Sequence, residues 1–194
     1  MSGILINGFR LDCEVPRFPR VRLDRFSTLL PATGVVLDCG CGAGEPIATY
    51  LVREGFCIIG VDSSAAMIFK FQARLPDQRA VVRDMRSLSL NMRFQGILAW
   101  DSFFHLNHED QRRMFAVFAA HADAGAALMF TSGTSHGVVI DSFEGEAFFH
   151  ASLDPLEYRS LLEQHGFAVV STVAEDPACG GRTVWLARRL RLIA

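Results

Sequence analysis

The sequence predicts an α/β fold: a mainly parallel, doubly wound sheet that ends in an antiparallel strand pair. Three observations predict it. Short apolar, β-branched runs alternate along the chain with segments of helical periodicity, the pattern of strand–helix–strand units. A glycine-rich loop, "LDCGCGAGEP" at residues 37–46, follows the first such run and precedes a helix. Two final runs, "FAVVSTVAE" and "RTVWLARRL", are joined by the turn-rich "DPACGG" and read as a hairpin.

In chain order, Asp24 to Leu30 is a short helical candidate, broken by Pro31 and Gly34. "VVLDC" (35–39) is the first buried strand, and Glu45 to Glu54 a helix with Pro46 in its first turn, ended by Gly55. "FCIIGVD" (56–62) is the second strand; Ser63 or Ser64 caps a helix that carries Met67, Ile68, Phe71 and Leu75 at helical spacing and stops at Pro76. Met67, Phe69, Phe71 and Leu75 are read as core and amphipathic surface. "AVVRD" (80–84) and "GILAW" (96–100) are the third and fourth strands. Asn107 then caps a helix with Met114, Phe115, Phe118 and Ala122 on one face, closed by Gly125. "AALMFTS" (126–132) is the fifth strand. Residues 133–153 have no clear period and form a loop or a small covering element. "DPLEYRSLLEQHG" opens with Asp154 as cap, Pro155 at the first helical position and Glu157 three residues after the cap, a capping-box signature.

A chain of 194 residues, half of them hydrophobic and 21% charged, suits one folded domain over 1–194, with 1–33 an irregular N-terminal segment. The net charge of −2 and the scattered arginines give no surface for nucleic acid or an anionic membrane. No apolar run reaches the roughly 18 residues of a membrane span. The opening "MSGILINGFRLDCEVPRFPR" lacks the pattern of a secretory signal, so the expected location is the cytoplasm. Five cysteines without framework spacing fit buried thiols and no structural disulfide. Cys39 and Cys41 have no second pair nearby, and no metal is expected.

The loop spacing narrows the ligand. Gly40, Gly42 and Gly44 give G-x-G-x-G, but the third glycine of a dinucleotide fingerprint would fall where Glu45 stands, and no Gly-Lys-Ser/Thr follows for a phosphate loop. Asp38 beside the loop would repel a pyrophosphate and attract a cation. Asp62, ending the second strand, is placed to accept from both ribose hydroxyls. Asp84, ending the third, could accept from an exocyclic amine, with Met85 against the ring. Cation, ribose and adenine together describe S-adenosylmethionine.

In order and spacing, "VVLDCGCGAG", "IIGVDSS", "RDMRSL" and "GILAWDSFFHL" resemble the successive motifs of class I S-adenosylmethionine-dependent methyltransferases, over residues 35 to about 190. The resemblance implies a three-layer, Rossmann-like methyltransferase fold: a seven-stranded, mostly parallel sheet with its last strand antiparallel. It implies that Gly40, Gly42 and Gly44 underlie the methionine part of the cofactor, that Asp62 holds the ribose and Asp84 the adenine amine, and that Trp100 and Asp101 border the methyl group. Cys41 and Ser63 fall within the same motifs and join the cofactor set. The family's pocket-closing N-terminal helix is not expected from "EVPRFPRVRLDRF", because Pro16 and Pro19 make it a poor helix.

The expected function is methyl transfer from S-adenosylmethionine to an O, N or S atom of a small-molecule acceptor, by a monomer or homodimer. His105 is the candidate base and Asp101 the second. Ser102, Phe104, His105, His136 and His150 are candidate acceptor contacts, the last two from the 133–153 covering loop, and Arg182 could bind an acceptor carboxylate. The alternative is a non-catalytic S-adenosylmethionine-binding sensor or partner subunit.

Overall fold

A computed structural model of the chain describes residues 5–6, 9–10, 19–143 and 146–191. Leu5–Ile6 pairs antiparallel with Phe9–Arg10. Helix α1 (Arg20–Ser27) leads to strand β1 (Val35–Cys39), helix α2 (Ile47–Arg53), strand β2 (Cys57–Asp62) and helix α3 (Ala65–Arg74). Strands β3 (Arg79–Val82) and β4 (Phe94–Ala99), helix α4 (His108–His121) and strand β5 (Ala122–Ser132) follow. Strands β6 (Gly137–Phe143) and β7 (Glu146–Ser152), helix α5 (Pro155–Gln164) and strands β8 (Phe167–Asp176) and β9 (Arg182–Arg189) complete the order.

Seven strands form one sheet in the order β8-β9-β5-β4-β1-β2-β3, and β6 with β7 forms a separate hairpin. Strand β1 pairs in parallel with both β2 and β4, so the chain winds out to β3 and then returns past β1. That reversal is a topological switch point, and the carboxyl ends of β1 and β4 flank it. Strand β9 runs antiparallel to both β5 and β8. Its first residue, Arg182, therefore lies at the edge where the parallel strands end.

Both sheet faces are covered, which is why the strands are near-continuous apolar runs. Alternate residues divide between two cores. Leu37, Ile97, Leu128, Phe130 and Trp185 pack with Phe115 and Phe118 of α4 and Tyr158 and Leu162 of α5. Val36, Leu98, Met129 and Leu186 pack with Phe26 of α1, Leu51 of α2 and Phe71 of α3. This three-layer arrangement is the one expected from the alternation.

Caps set several boundaries. Ser64 Oγ accepts from the Met67 amide at 3.3 Å, Asn107 Oδ1 from Asp110 at 2.8 Å and Asp154 Oδ1 from Leu156 at 2.8 Å. Only the cap half of the capping box is seen, since the Glu157 carboxylate takes Arg112 Nε at 2.6 Å.

Four expectations need correction. Helix α1 starts at Arg20, directly after Pro19, so that proline precedes the helix instead of interrupting it; Pro16 lies outside the described residues. Helix α2 is shorter than Glu45–Glu54 because Pro46 stands at its cap. Gly125 does not close α4, which ends at His121; it lies inside β5 with φ of 86°, within a register shift against β4. Arg93 Nη1 to Ala122 O and Gln95 Nε2 to Asp123 Oδ2 hold the early part of that strand. The 133–153 segment is the β6–β7 hairpin; its exposed Val138, Val139 and Ile140 neither alternate nor bury, so no strand period is visible.

Candidate cofactor and acceptor site

The glycine loop leaves β1 with Gly40 at φ of 78° and Gly42 at 53°, a backbone that side chains rarely adopt. A Cβ on Gly40 would lie 2.2 Å from Ser102 Cβ, whereas one on Gly42 would meet nothing within 4 Å. Gly40 thus lets the loops after β1 and β4 touch, and Gly42 leaves open space above the loop. Ser102 seals the first contact: it is 8% exposed and donates its hydroxyl to Cys39 O at 2.6 Å.

Asp62 organises the same loop. Its Oδ2 accepts from the Gly42 amide at 3.0 Å and its Oδ1 from the Ser64 amide at 2.8 Å. Each oxygen retains a second acceptor position, so the carboxylate is oriented by backbone and still suited to a pair of vicinal hydroxyls.

Two clefts open on either side of the loop and share Gly40, Gly42 and Asp101. The larger, about 550 Å³, brings together Asp62, Ser63, Asp84, Met85, Ser102 and His105. The smaller, about 230 Å³, is lined by Asp38, Cys41, Trp100, Cys179 and Arg182, with Pro19 from the start of α1. Most of the residues expected at the cofactor site therefore meet around one loop. Gly44 instead packs inward, where an added Cβ would meet Phe71.

Charges in the clefts are unequal. Asp38 is 3% exposed, and burial, reinforced by Asp62, pushes its carboxyl up to about 7. Burial also raises Asp101, against the opposing pull of Arg182, whose Nε lies 2.6 Å from Asp101 Oδ1. Asp84 is held below the usual range because Arg86 grips both its oxygens, with Nη2 to Oδ2 at 2.5 Å, and also contacts Asp110. An adenine amine at Asp84 would have to share an oxygen with Arg86. Burial raises the thiols of Cys39 and Cys41, which suits packing. Among the described residues no group of three His, Cys, Asp or Glu side chains is placed to share a metal ion.

The acceptor candidates divide. His105 Nδ1 lies 3.2 Å from Phe149 O; a carbonyl only accepts, so Nδ1 carries a proton. His150 of β7 packs on Phe104 and His105, with ring centroids 4.8 and 4.9 Å away. His136 is exposed and stacks on His108, which donates Nε2–H to Gly137 O at 3.0 Å. Phe104, His136 and His150 line neither cleft; they and His108 fasten the hairpin to the turn after β4 and to α4. Phe103 is core, 5.2 Å from Phe130 by ring centroids. Met67, Arg83 and Arg86 line the larger cleft and were not among the expected site residues. The helical spacing of Met67 places it on a face but says nothing of the cleft beside that face.

Residues 36–125 match the family model described as a methyltransferase domain. The fold matches an S-adenosylmethionine-dependent methyltransferase from Methanosarcina mazei with a TM-score of 0.74 at 16% identity, over 91% of this chain and all of that one. By fold, the chain is like the S-adenosylmethionine-dependent methyltransferases, and nearly half of it matches the methyltransferase-domain model. Similar solved methyltransferases include the Micromonospora echinaspora amino pentose enzyme with bound S-adenosylmethionine (TM-score 0.70, 18% identity, 88% of this chain, 89% of that). Another is the Burkholderia thailandensis 1,6-didemethyltoxoflavin-N1-methyltransferase with its acceptor and S-adenosylhomocysteine (0.72, 20%, 89% and 78%). A curated Methanosarcina acetivorans protein named a probable phosphoglucosamine mutase is 33% identical over 84 residues, 43% of this chain but only 18% of that protein. The residues present fit an S-adenosylmethionine-type cofactor: open space over Gly42 and an oriented acceptor at Asp62.

Proposed function

We propose that this protein is a class I S-adenosylmethionine-dependent methyltransferase that transfers the methyl group to an O, N or S atom of a small molecule. The observation that carries the reading is that Asp62 and His105 line one cleft, joined to the smaller one through Gly40, Gly42 and Asp101. Asp62 would hold the ribose, with Ser63 and Met85 beside the nucleoside and Asp84 near the adenine amine. Asp38, Cys41 and Trp100 would border the methionine end. Bound there, S-adenosylmethionine supplies a methyl group on a positively charged sulfur, an electrophile that needs no further activation.

The chain's own contribution is alignment, exclusion of water and proton removal. His105, whose Nδ1 lies against Phe149 O, is the candidate base for the proton of a hydroxyl, thiol or ammonium acceptor. Asp101 is the second group in reach of the same space. The small-molecule acceptors named for the similar enzymes support an acceptor of that size. Action in the cytoplasm, as a monomer or homodimer, belongs to the same reading.

Calorimetry with S-adenosylhomocysteine, then a methyl-release screen over small acids, amines, phenols and thiols, tests it. Asp62→Ala should weaken nucleoside binding by about 100-fold, the loss of two hydrogen bonds to a charged acceptor. Unchanged affinity in a folded variant would remove the ribose role. Binding without turnover across the whole panel would favour a sensor.

A further inference from the structure

Asp84 lies just after β3, on the larger cleft, and every acceptor position of its carboxylate is taken from within the chain. Oδ1 accepts from the Arg86 amide at 2.9 Å and from Arg86 Nε at 3.0 Å. Oδ2 accepts from the same Nε at 2.9 Å and from Nη2 at 2.5 Å. A carboxylate has about four such positions, so the group is full before any ligand arrives. Arg86 also has a second anchor. Its Nη1 donates at 3.2 Å to Oδ2 of Asp110, in the first turn of α4, a carboxylate only 14% exposed and held by Asn107 Nδ2 at 3.1 Å.

The Asp84–Arg86 pair is the weaker of the two attachments to break. Its side chains are 40% and 51% exposed, so water screens it and it adds little to stability. Arg86 lines the larger cleft with Asp84. Each of its Nη atoms keeps one N–H for which no partner is found among the described residues, since Nη1 gives one to Asp110 and Nη2 one to Asp84.

We propose that Arg86 sets the base specificity of this cleft: it competes with an exocyclic amine for Asp84 and offers its own N–H donors to a carbonyl oxygen at the same edge. A 6-aminopurine must displace Arg86 from an Asp84 oxygen, and Arg86 then stays with Asp110. A 6-oxopurine finds the guanidinium already in place. An unopposed carboxylate would accept from the amine and repel the oxygen. The cleft therefore separates adenine from hypoxanthine less sharply than Asp84 alone would. This role of Arg86 rests on the S-adenosylmethionine reading above.

Calorimetry with two uncharged nucleosides tests it: 5′-methylthioadenosine, and 5′-methylthioinosine, which carries oxygen in place of the amine. Arg86→Met keeps the length of the side chain and removes its donors. It should tighten methylthioadenosine about two- to fivefold, the worth of an exposed ion pair, and weaken methylthioinosine about 10-fold, the loss of a charge-assisted contact. Arg86→Lys, which keeps the charge and loses the planar fork, should fall between wild type and Arg86→Met. Raising salt from about 0.05 to about 0.5 M should tighten methylthioadenosine on wild type about twofold, by screening the Asp84–Arg86 pair, and leave Arg86→Met unmoved. A residue that only shaped the turn after β3 would give an uncharged ligand no such response. Thermal unfolding reports whether each variant is folded, and the salt titration of wild type needs no variant. Methylthioadenosine binding no tighter in Arg86→Met, or an adenine-to-hypoxanthine ratio that does not move, overturns the competition while the cofactor reading survives. If wild type binds neither methylthioadenosine nor S-adenosylhomocysteine, the cofactor reading falls and the role of Arg86 falls with it.

Discussion

Asp38→Asn should make the ligand-free protein more stable, and by an amount that depends on pH. In the unfolded chain Asp38 releases its proton near the ordinary carboxylate value of 3.8; in the folded chain burial and Asp62 defer release to about 7. Between those values the folded state holds one proton more than the unfolded state. Stability therefore falls as pH rises across that window and levels above it. The span is about three pH units at about 1.4 kcal/mol each, so the ionised carboxylate costs about 4 kcal/mol at pH 8. Asparagine has the same shape and never ionises. Urea unfolding of wild type and Asp38→Asn at half-unit steps from pH 4 to 8 measures the effect. The variant's advantage should grow by about 1.4 kcal/mol per pH unit up to about pH 7 and then stay constant. Groups shifted the other way, Asp84 and Asp176, contribute equally to both proteins and cancel in the difference. Parallel stability profiles for the two proteins would refute the buried, proton-retaining Asp38.

Gly40→Ala should destabilise the fold by about 2–4 kcal/mol, because the new methyl collides with Ser102 on a left-handed backbone. The double variant with Ser102→Gly should recover all but about 1 kcal/mol in the same unfolding assay, and no recovery would place the strain elsewhere. Tyr158→Phe should lose about 1–3 kcal/mol, since the hydroxyl donates to Gln111 Oε1 at 2.6 Å and accepts from the Leu153 amide at 3.0 Å, both buried. Gln111 also donates to Ala151 O at 2.8 Å, so hydrogen exchange along β7 should quicken in that variant; unchanged rates would uncouple hairpin and core.

Local signals carried most of the fold into the sequence. Ser64, Asn107 and Asp154 cap their helices through bonds to amides two or three residues on, and such bonds are visible as spacing. The order of strands and the antiparallel end were legible for the same reason. Gly125 misled because a glycine with positive φ ends helices and also relieves bulges, and here β4 imposes the bulge. In the site, Gly40, Gly42 and Asp62 were legible from position after a strand. The partners of Asp84 and Asp101 were not. Arg86 is one of many arginines two or three residues from an acid, and Arg182 meets Asp101 only because β9 reverses direction.

The dual engagement of Asp62 has a consequence for how such a protein can change. Its carboxylate ties the amide of Gly42 to that of Ser64, so the group suited to ribose is also what gives the loop its shape. The acceptor geometry at this point is inherited from folding. A descendant that lost His105 or its hairpin would surrender chemistry without any pressure relaxing on Asp62. On the proposed reading it would keep a ribose-shaped acceptor as a by-product of staying folded, a ready origin for a receptor from a former enzyme.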